Sequence, residues 1–192
     1  VVFCQFVVLN TPILMKNILI TGGAGFIGSH LVERLLSEGG WNVTVIDDLN
    51  DFYSPEIKLA NLQPLMERSN FRFIEADIRD RQKLDEIFAA SSFDVIAHLA
   101  ARAGVRPSLL EPVLYYQTNV DGTLNLLEHA KEHGIKQFVF GSSSSVYGIN
   151  CKIPFSEEDR IHQPISPYAS TKAAGELMCH TYSHLYDIRT VC

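Results

Sequence analysis

Residues 17–30, NILITGGAGFIGSH, decide the fold of this chain. The segment opens with a short apolar run, residues 18–21, which has the length of a buried strand. After the turn, apolar residues recur at helical spacing over residues 29–36. A strand, a glycine turn and a helix in this order give G-x-G-x-x-G its meaning as a dinucleotide site. Two frames fit the turn, one from Gly23 and a shifted one from Gly22, and together they use Gly22, Gly23, Gly25 and Gly28.

Glycines in such a turn let the backbone approach a pyrophosphate, whose charge then lies on the free N–H groups of the helix N-terminus. A glycine-rich turn of any other α/β protein remains the alternative for this motif alone. A second apolar run, residues 42–46, ends on Asp47, about 20 residues after Gly28, where an acid accepts hydrogen bonds from the adenosine ribose. Its carboxylate would repel a 2′-phosphate, so the sequence predicts NAD and not NADP as cofactor.

The bulk composition is that of an ordinary globular protein. The 192 residues are 46% hydrophobic and 20% charged, which suits one domain with a substantial core, or one domain and a fragment of another. The net charge of −6 argues against a nucleic-acid surface. Four cysteines without metal-ligand spacing or a disulfide framework predict no metal site and a reducing cytoplasm.

The two ends of the chain differ from the rest. Residues 1–14 are apolar and uncharged, lack the basic start of a signal peptide and are too short to span a bilayer. We expect them to be a non-native or upstream extension, with an interfacial segment as the alternative. Met15 resembles a natural start, so residues 15–192 are predicted to form the NAD-binding domain. A strand-like run, residues 187–192, ends the chain.

The rest of the chain alternates strands and helices. Further strands are predicted over residues 71–76, 93–99 and 137–140, and helices over 79–90, 112–133 and 167–186. This alternation predicts an α/β fold, a Rossmann-type doubly wound parallel sheet with helices on both faces and strand order 3-2-1-4-5-6. The inward stripe of helix 112–133 is predicted to be Val113, Tyr116, Val120, Leu124 and Leu127. Ligands bind at the carboxyl ends of such strands.

Residues with catalytic chemistry follow at that rim. Tyr168 and Lys172 are four apart, so they share one helix face. A tyrosine hydroxyl is a poor base at neutral pH, and an adjacent ammonium with a bound nicotinamide cation favours the phenolate. Ser143, after the fifth strand, can hydrogen-bond the same substrate hydroxyl. An amphipathic tyrosine beside a solvated lysine is the alternative.

Several strings together resemble the extended short-chain dehydrogenase/reductase family, in its sugar-nucleotide epimerase and dehydratase branch. They are TGGAGFIGSH, VIDDLN, ADIRD, HLAARAGV, YYQTNVDGT, FGSSSSVYG and SPYASTK. The resemblance implies that Ser143, Tyr168 and Lys172 form the catalytic triad and that Asn119 supports it. It also implies cofactor contacts by Gly22, Gly25, Phe26, Ile27, Gly28, Asp47, Asn50, Asp77, Ile78, Leu99, Ala100, Ala101, Tyr168 and Lys172.

The residues after Ser143 discriminate between reactions within the family. Dehydratases carry Asp-Glu there and UDP-glucuronate decarboxylases carry Glu before Val-Tyr-Gly, whereas this chain has Ser144 and Ser145. The strings DDLNDFYSPEIK and ARAGVRPSLLEP resemble those of UDP-glucuronate 4-epimerases. The resemblance therefore implies that Ser143, Ser144 and Ser145 bind a uronate carboxylate. Arg106 is a further substrate candidate, with a surface salt bridge as its alternative.

The resemblance implies an NAD-dependent isomerase that epimerises carbon 4 of a UDP-sugar through a 4-keto intermediate, converting UDP-glucuronate to UDP-galacturonate. A 4,6-dehydratase, a UDP-glucose 4-epimerase and a non-enzymatic NAD-binding sensor are the alternatives. The resemblance also implies a homodimer that pairs the helices beginning at Pro112 and Pro167, and a C-terminal substrate domain that residues 15–192 do not include. From the charge and the short apolar start, we expect no nucleic-acid or membrane partner.

Overall fold

The computed structural model describes residues 15–192, so the predicted extension over residues 1–14 lies outside the described residues. Six parallel strands form one sheet in the order β3-β2-β1-β4-β5-β6, which confirms the predicted fold class and strand order. The strands are β1 Lys16–Thr21, β2 Trp41–Asp47, β3 Phe71–Glu75, β4 Val95–His98, β5 Gln137–Phe140 and β6 Arg189–Val191.

Helices cover both faces of this sheet. They are α1 Phe26–Glu38, α2 Pro55–Leu62, α3 Arg81–Ala90, α4 Val105–Leu110, α5 Pro112–Tyr116, α6 Gly122–Glu132 and α7 Pro167–Tyr186. A π-helical turn, Gln117–Asp121, joins α5 to α6, and a 3-10 turn, Ser144–Tyr147, follows β5. None of the helices within residues 15–192 is both long and apolar enough to cross a membrane.

The core consists of two apolar layers separated by the sheet. On β1, Ile18 and Ile20 pack into the layer that contains Val32 and Leu36 of α1. Leu19, between them, packs into the opposite layer. Successive side chains of a strand point to opposite faces, and a parallel sheet is buried on both of them. The continuous apolar run that the sequence shows at β1 follows from this burial.

The predicted inward stripe of helix 112–133 is largely wrong. Val113 is 68% exposed, and Tyr116 and Leu124 are also exposed, whereas Leu127 is buried. The π-helical turn adds a residue to one turn, so positions counted at 3.6 residues per turn fall out of phase across it. The residues that face inward around this turn include polar ones, Thr118, Asn119 and Thr123.

Candidate active site

A cleft opens at the carboxyl ends of β1, β2, β3 and β4, and we call it the rim cleft. The ligand-binding crevices of doubly wound sheets lie at this position, where the strand order reverses. Nine of the residues expected to contact a cofactor line it: Gly22, Gly25, Asp47, Asn50, Asp77, Ile78, Leu99, Ala100 and Ala101. Residues that the sequence analysis missed also line it: Ile46, Asp48, Phe52, Tyr53, Lys58, Ala76, Ala103 and Thr118.

The glycine turn brings the backbone to the wall of the rim cleft. Gly22 has φ of 71°, and a Cβ on it would lie 2.6 Å from the Ala100 nitrogen. A Cβ on Gly28 would lie 2.2 Å from the Gly22 oxygen, so this glycine packs the start of α1 onto the turn. Gly25 lines the cleft, and a Cβ there would occupy space that a pyrophosphate needs.

Phe26 and Ile27 occupy the first turn of α1, with side chains that are 75% and 69% exposed. Neither side chain lines the rim cleft. The first hydrogen bond at this end of the helix joins Ser29 N to Gly25 O at 2.9 Å. The N–H groups of Phe26, Ile27 and Gly28 precede it and are free for an anion. Any contact of these three residues with a cofactor therefore belongs to their backbone.

Asp47 ends β2 with a buried carboxylate at the wall of the cleft. Its Oδ2 accepts a 3.1 Å hydrogen bond from Ala24 N, and its Oδ1 accepts a 3.0 Å bond from Leu49 N. Burial raises the pKa of Asp47, and these N–H groups together with Lys58 oppose the rise. The Lys58 Nζ atom lies 4.0 Å from Oδ1 and donates to the Asn50 carbonyl at 2.8 Å. This buried lysine ends the string DDLNDFYSPEIK, but it was not predicted as a site residue.

Asp77 and Ile78 follow β3 at the far end of the cleft. Burial alone would raise the pKa of Asp77, but hydrogen bonds from Arg79 outweigh it and lower that pKa. The two side chains form an ion pair with 2.5 Å between Arg79 Nη2 and Asp77 Oδ2.

Thr118, on the π-helical turn, carries an unpartnered buried hydroxyl at the cleft. Among residues 15–192, its Oγ1 is the one buried side-chain nitrogen or oxygen without a hydrogen-bond partner. Burying a hydroxyl without a partner costs about 1–3 kcal/mol. Since Thr118 also lines the rim cleft, a polar ligand that binds there can supply the missing bond. This observation, with the free N–H groups of α1 and the carboxylate of Asp47, fits a dinucleotide.

Lys172 is buried in the second turn of α7, which contradicts the alternative of a solvated lysine. Its Nζ donates a 2.7 Å hydrogen bond to the Gly141 carbonyl at the end of β5 and lies 4.9 Å from the centre of the Phe140 ring. Burial lowers the pKa of Lys172 to about 8. Lys172 is therefore a cation at neutral pH that loses its proton more readily than an exposed lysine.

Tyr168 lies one turn before Lys172, in the first turn of α7. The helix is capped by Ser166, whose Oγ accepts a 3.0 Å hydrogen bond from Ala169 N. The ring of Tyr115 meets Tyr168 edge to face, with 6.3 Å between ring centres. The capped helix start and the aromatic neighbour restrain the position of the Tyr168 ring.

The four serines after β5 have different surroundings. Ser143 is half-buried, and its Oγ accepts a 3.2 Å hydrogen bond from Ser145 N. Ser144 is exposed and Ser145 is half-buried. Ser142 donates its hydroxyl hydrogen to the carboxylate of Glu176 on α7. Among the predicted substrate residues, Arg106 lies on α4 as an exposed side chain and does not line the rim cleft.

Two buried polar side chains connect the cleft to α7. Asn119 accepts from Arg102 N at 2.7 Å and donates through Nδ2 to Arg102 O and to Thr171 Oγ1, both at 3.0 Å. Thr171 in turn donates to the Tyr168 carbonyl at 2.8 Å. Asn119 therefore holds the loop after β4 against the turn that carries Tyr168, as expected of a supporting residue.

His98 ends β4 in a fully bonded network that the sequence analysis missed. Its Nδ1 lies 2.7 Å from Thr21 Oγ1 and its Nε2 lies 2.9 Å from Thr123 Oγ1. The Thr123 hydroxyl donates to Asn119 O at 2.6 Å, so it accepts from Nε2–H, and Nδ1 accepts from Thr21. Burial, with repulsion from Lys172, lowers the pKa of His98 to about 3, so the ring is neutral.

The chain is similar in sequence and fold to sugar-nucleotide enzymes. A family model described as GDP-mannose 4,6 dehydratase matches residues 19–192. A UDP-glucuronate 4-epimerase of Thermodesulfobacterium geofontis is 46% identical over 174 residues, which are 91% of this chain and 53% of the relative.

Two solved structures have the same fold. A UDP-glucuronic acid 4-epimerase from Bacillus cereus, determined with UDP-glucuronic acid and NAD, is 38% identical with a TM-score of 0.81, over 92% of this chain and 55% of that one. A UDP-glucose 4-epimerase from Thermotoga maritima, determined with UDP-glucose, is 37% identical with a TM-score of 0.81, over 91% and 53%. The chain spans about half the length of the relatives it matches.

Proposed function

Because the chain belongs to the extended short-chain dehydrogenase/reductase family, in the group described as GDP-mannose 4,6 dehydratase, we propose that the full-length protein is an NAD-dependent UDP-sugar 4-epimerase. The observation that carries this proposal is the buried, cationic Lys172 one turn from Tyr168 on the helix face beside Gly141. A protein that only sensed NAD would have no need to bury this ammonium, because an unpaired buried cation lowers stability.

The rim cleft supports NAD as the cofactor. Asp47 would accept hydrogen bonds from the adenosine ribose, and the free N–H groups at the start of α1 would bind the pyrophosphate. The Thr118 hydroxyl, which has no hydrogen-bond partner within residues 15–192, would form a hydrogen bond with the cofactor at the cleft wall. Bound NAD would supply a hydride acceptor for carbon 4 of the sugar and return the hydride.

The residues of the chain would move the proton. Tyr168 takes the hydrogen of the 4-hydroxyl group, and Ser143 hydrogen-bonds the same oxygen. The Lys172 ammonium, one turn away on the same helix face, stabilises negative charge on the phenolic oxygen. After the sugar turns over, Tyr168 returns the proton, and the product differs from the substrate in configuration at carbon 4.

UDP-glucuronate is the proposed substrate, with UDP-galacturonate as its product. The hydroxyl groups of Ser143, Ser144 and Ser145 can donate to a uronate carboxylate, and Arg106 is proposed as a further contact. Elimination of water requires an acid and a base at the reacting sugar, and Ser144 and Ser145 supply neither. This absence of acids favours epimerisation over the 4,6-dehydratase alternative. UDP-glucose is the second candidate substrate, which the likeness to the Thermotoga maritima enzyme supports.

A homodimer in the cytoplasm is also proposed. Val113 and Leu177 are 68% and 62% exposed on α5 and α7, and these two helices pack against each other, which leaves exposed apolar area on both. Pairing with a second copy would bury it. Cys151, Cys179 and Cys192 are free thiols, which supports a reducing compartment.

The activity test uses the full-length protein with UDP-glucuronate and no added NAD. We expect UDP-glucuronate to be converted to an equilibrium mixture with UDP-galacturonate. Chromatography or NMR measures the proportions of the two sugars. Tyr168→Phe keeps the ring and removes the proton acceptor, so turnover should fall roughly 100- to 10,000-fold while substrate binding persists. Formation of a 4-keto-6-deoxy sugar, or release of carbon dioxide, would contradict the proposal.

A further inference from the structure

Glu176 contacts the serine loop, which we define as residues 141–145, although no motif of the sequence analysis included this glutamate. It lies on α7 one turn beyond Lys172 and accepts the hydroxyl hydrogen of Ser142. Building on the proposed function, we propose that Glu176 is a positioning residue for Ser143. It acts by fixing the preceding residue of the serine loop on α7.

The serine loop is attached to α7 at two consecutive residues. Lys172 Nζ holds the Gly141 carbonyl at 2.7 Å, and the Glu176 carboxylate holds the Ser142 side chain. Residues four apart on a helix are neighbours on one face, so both contacts come from the same side. Together with the bond from Gly141 N to His98 O at 2.9 Å, two side-chain contacts at adjacent residues restrain the direction of the loop more tightly than one would.

The direction of Ser142 determines that of Ser143. The backbone of Ser143 is extended, with φ of −158° and ψ of 144°, and successive side chains of extended chain point to opposite sides. With the Ser142 hydroxyl bound to α7, the Ser143 hydroxyl is directed away from Glu176. Its Oγ is then held from the other direction by Ser145 N at 3.2 Å. A shift of about 1 Å in such a group can cost 100-fold in rate.

Glu176 has no role as counter-ion of Lys172. Among residues 15–192, no carboxylate oxygen lies within 4.0 Å of Lys172 Nζ, although Glu176 is one turn away. The Glu176 carboxylate instead accepts a hydrogen bond from the neutral hydroxyl of Ser142. A charged acceptor gives a stronger hydrogen bond than a neutral one, which suits a contact that must orient a loop.

The test compares Glu176→Ala, Glu176→Gln, Ser142→Ala and the Glu176→Ala/Ser142→Ala pair. Glu33→Ala, at an exposed position of α1, is the matched control that also removes a carboxylate. In the full-length protein, Glu176→Ala and Ser142→Ala should each lower kcat roughly 10- to 100-fold with KM for the UDP-sugar unchanged. The pair should be no worse than either single change, and Glu176→Gln should restore most turnover because its amide oxygen still accepts.

A second measurement does not depend on catalysis. In Glu176→Ala, amide hydrogen exchange over residues 141–148 should be about tenfold faster than in the unsubstituted protein, which matches the loss of one hydrogen bond to a charged group. Glu33→Ala should leave it unchanged, and NAD affinity should be the same in all variants. Unchanged exchange in both Glu176→Ala and Ser142→Ala would overturn the proposal. If the unsubstituted protein epimerises no UDP-sugar, the proposed function fails and the exchange rates alone decide whether Glu176 orients the loop.

Discussion

Thr118 and Thr123 lie five residues apart on neighbouring turns, and both are buried, but their hydroxyl groups differ in hydrogen bonding. The Thr123 hydroxyl donates to Asn119 O at 2.6 Å and lies 2.9 Å from His98 Nε2. Thr118 lines the rim cleft, and its buried hydroxyl has no hydrogen-bond partner within residues 15–192. Thr123 therefore belongs to an internal network, whereas we expect Thr118 to bond a ligand.

This contrast predicts opposite effects of the same substitution. Thr118→Val should leave the free energy of unfolding of the ligand-free protein unchanged or slightly raised, and should weaken NAD binding about fivefold, the worth of one neutral hydrogen bond. Thr123→Val should lower the free energy of unfolding by about 1–3 kcal/mol because it leaves His98 Nε2–H unpaired. Urea unfolding and calorimetric titration with NAD measure both. A Thr118→Val protein that loses stability and keeps its NAD affinity would contradict the assignment of Thr118 to the ligand.

Asp47 is predicted to select NAD over NADP. Its carboxylate is held by Ala24 N and Leu49 N at the cleft wall, where a 2′-phosphate would meet a negative charge. Fluorescence titration should give tighter binding of NAD than of NADP. Asp47→Ser should weaken NAD roughly tenfold, through the lost charged hydrogen bonds, and narrow the difference between the cofactors. Asp51→Ser, at an exposed position, is the control, and equal affinities in the unsubstituted protein would refute the role of Asp47.

Lys172 should make stability depend on alkaline pH. Its pKa is about 8 in the folded protein against an ordinary 10.5, so the unfolded chain binds more protons between these values. The free energy of unfolding therefore rises with pH in this window, by about 3 kcal/mol for this group. The Lys172→Met variant has no ammonium at this position, so its free energy of unfolding should lack this rise. The difference in free energy of unfolding between the unsubstituted protein and the variant should therefore shift in favour of the unsubstituted protein from pH 7 to pH 10.5. Lys136→Met, at a side chain that is 66% exposed, should show no such change. A constant difference for Lys172→Met would show that this lysine is not desolvated.

Ser144 and Ser145 are predicted to tolerate no carboxylates in the full-length enzyme. The double change Ser144→Asp/Ser145→Glu would bring two negative charges to the uronate, so KM for UDP-glucuronate should rise at least about tenfold, since like charges in contact cost several kcal/mol. Ser144→Asn/Ser145→Gln matches the size without the charge and should have a much smaller effect. Equal KM values for the two double variants would indicate that the uronate binds elsewhere.

The outer faces of α5 and α7 are predicted to form the homodimer interface. Light scattering of the full-length protein at micromolar concentration should give the mass of a dimer. Leu177→Asp should convert it to a monomer because a charge would be buried in the interface. Ile57→Asp places the same charge on α2, at a residue that is 55% exposed, and should leave the dimer intact. A monomer without any substitution would exclude the interface.

The local order of residues determined the fold of this protein. Residues 17–30 form a strand, a glycine turn and a helix. A buried strand requires a short apolar run, and the turn requires positive φ at Gly22, which glycine adopts without strain. Asp47 could be assigned to the rim from spacing alone, since the carboxyl ends of neighbouring parallel strands share one edge. The strand order followed from the alternation of strands and helices, and the structure has the same order.

Tertiary structure alone decided the rest of the site, because it depends on contacts between residues that are distant in the chain. Lys58 ends the string DDLNDFYSPEIK, but its burial beside Asp47 results from the position of α2 next to the end of β2, which the string does not show. His98 is neutral because it is buried away from water and because Thr21 and Thr123, on two other segments, bond its two ring nitrogens. The π-helical turn shifted the inward face of α5 and α6 to Thr118 and away from Val113. The contact between Glu176 and Ser142 depends on the packing of α7 against the end of β5. Periodicity describes a single element, so it cannot predict a contact between two elements.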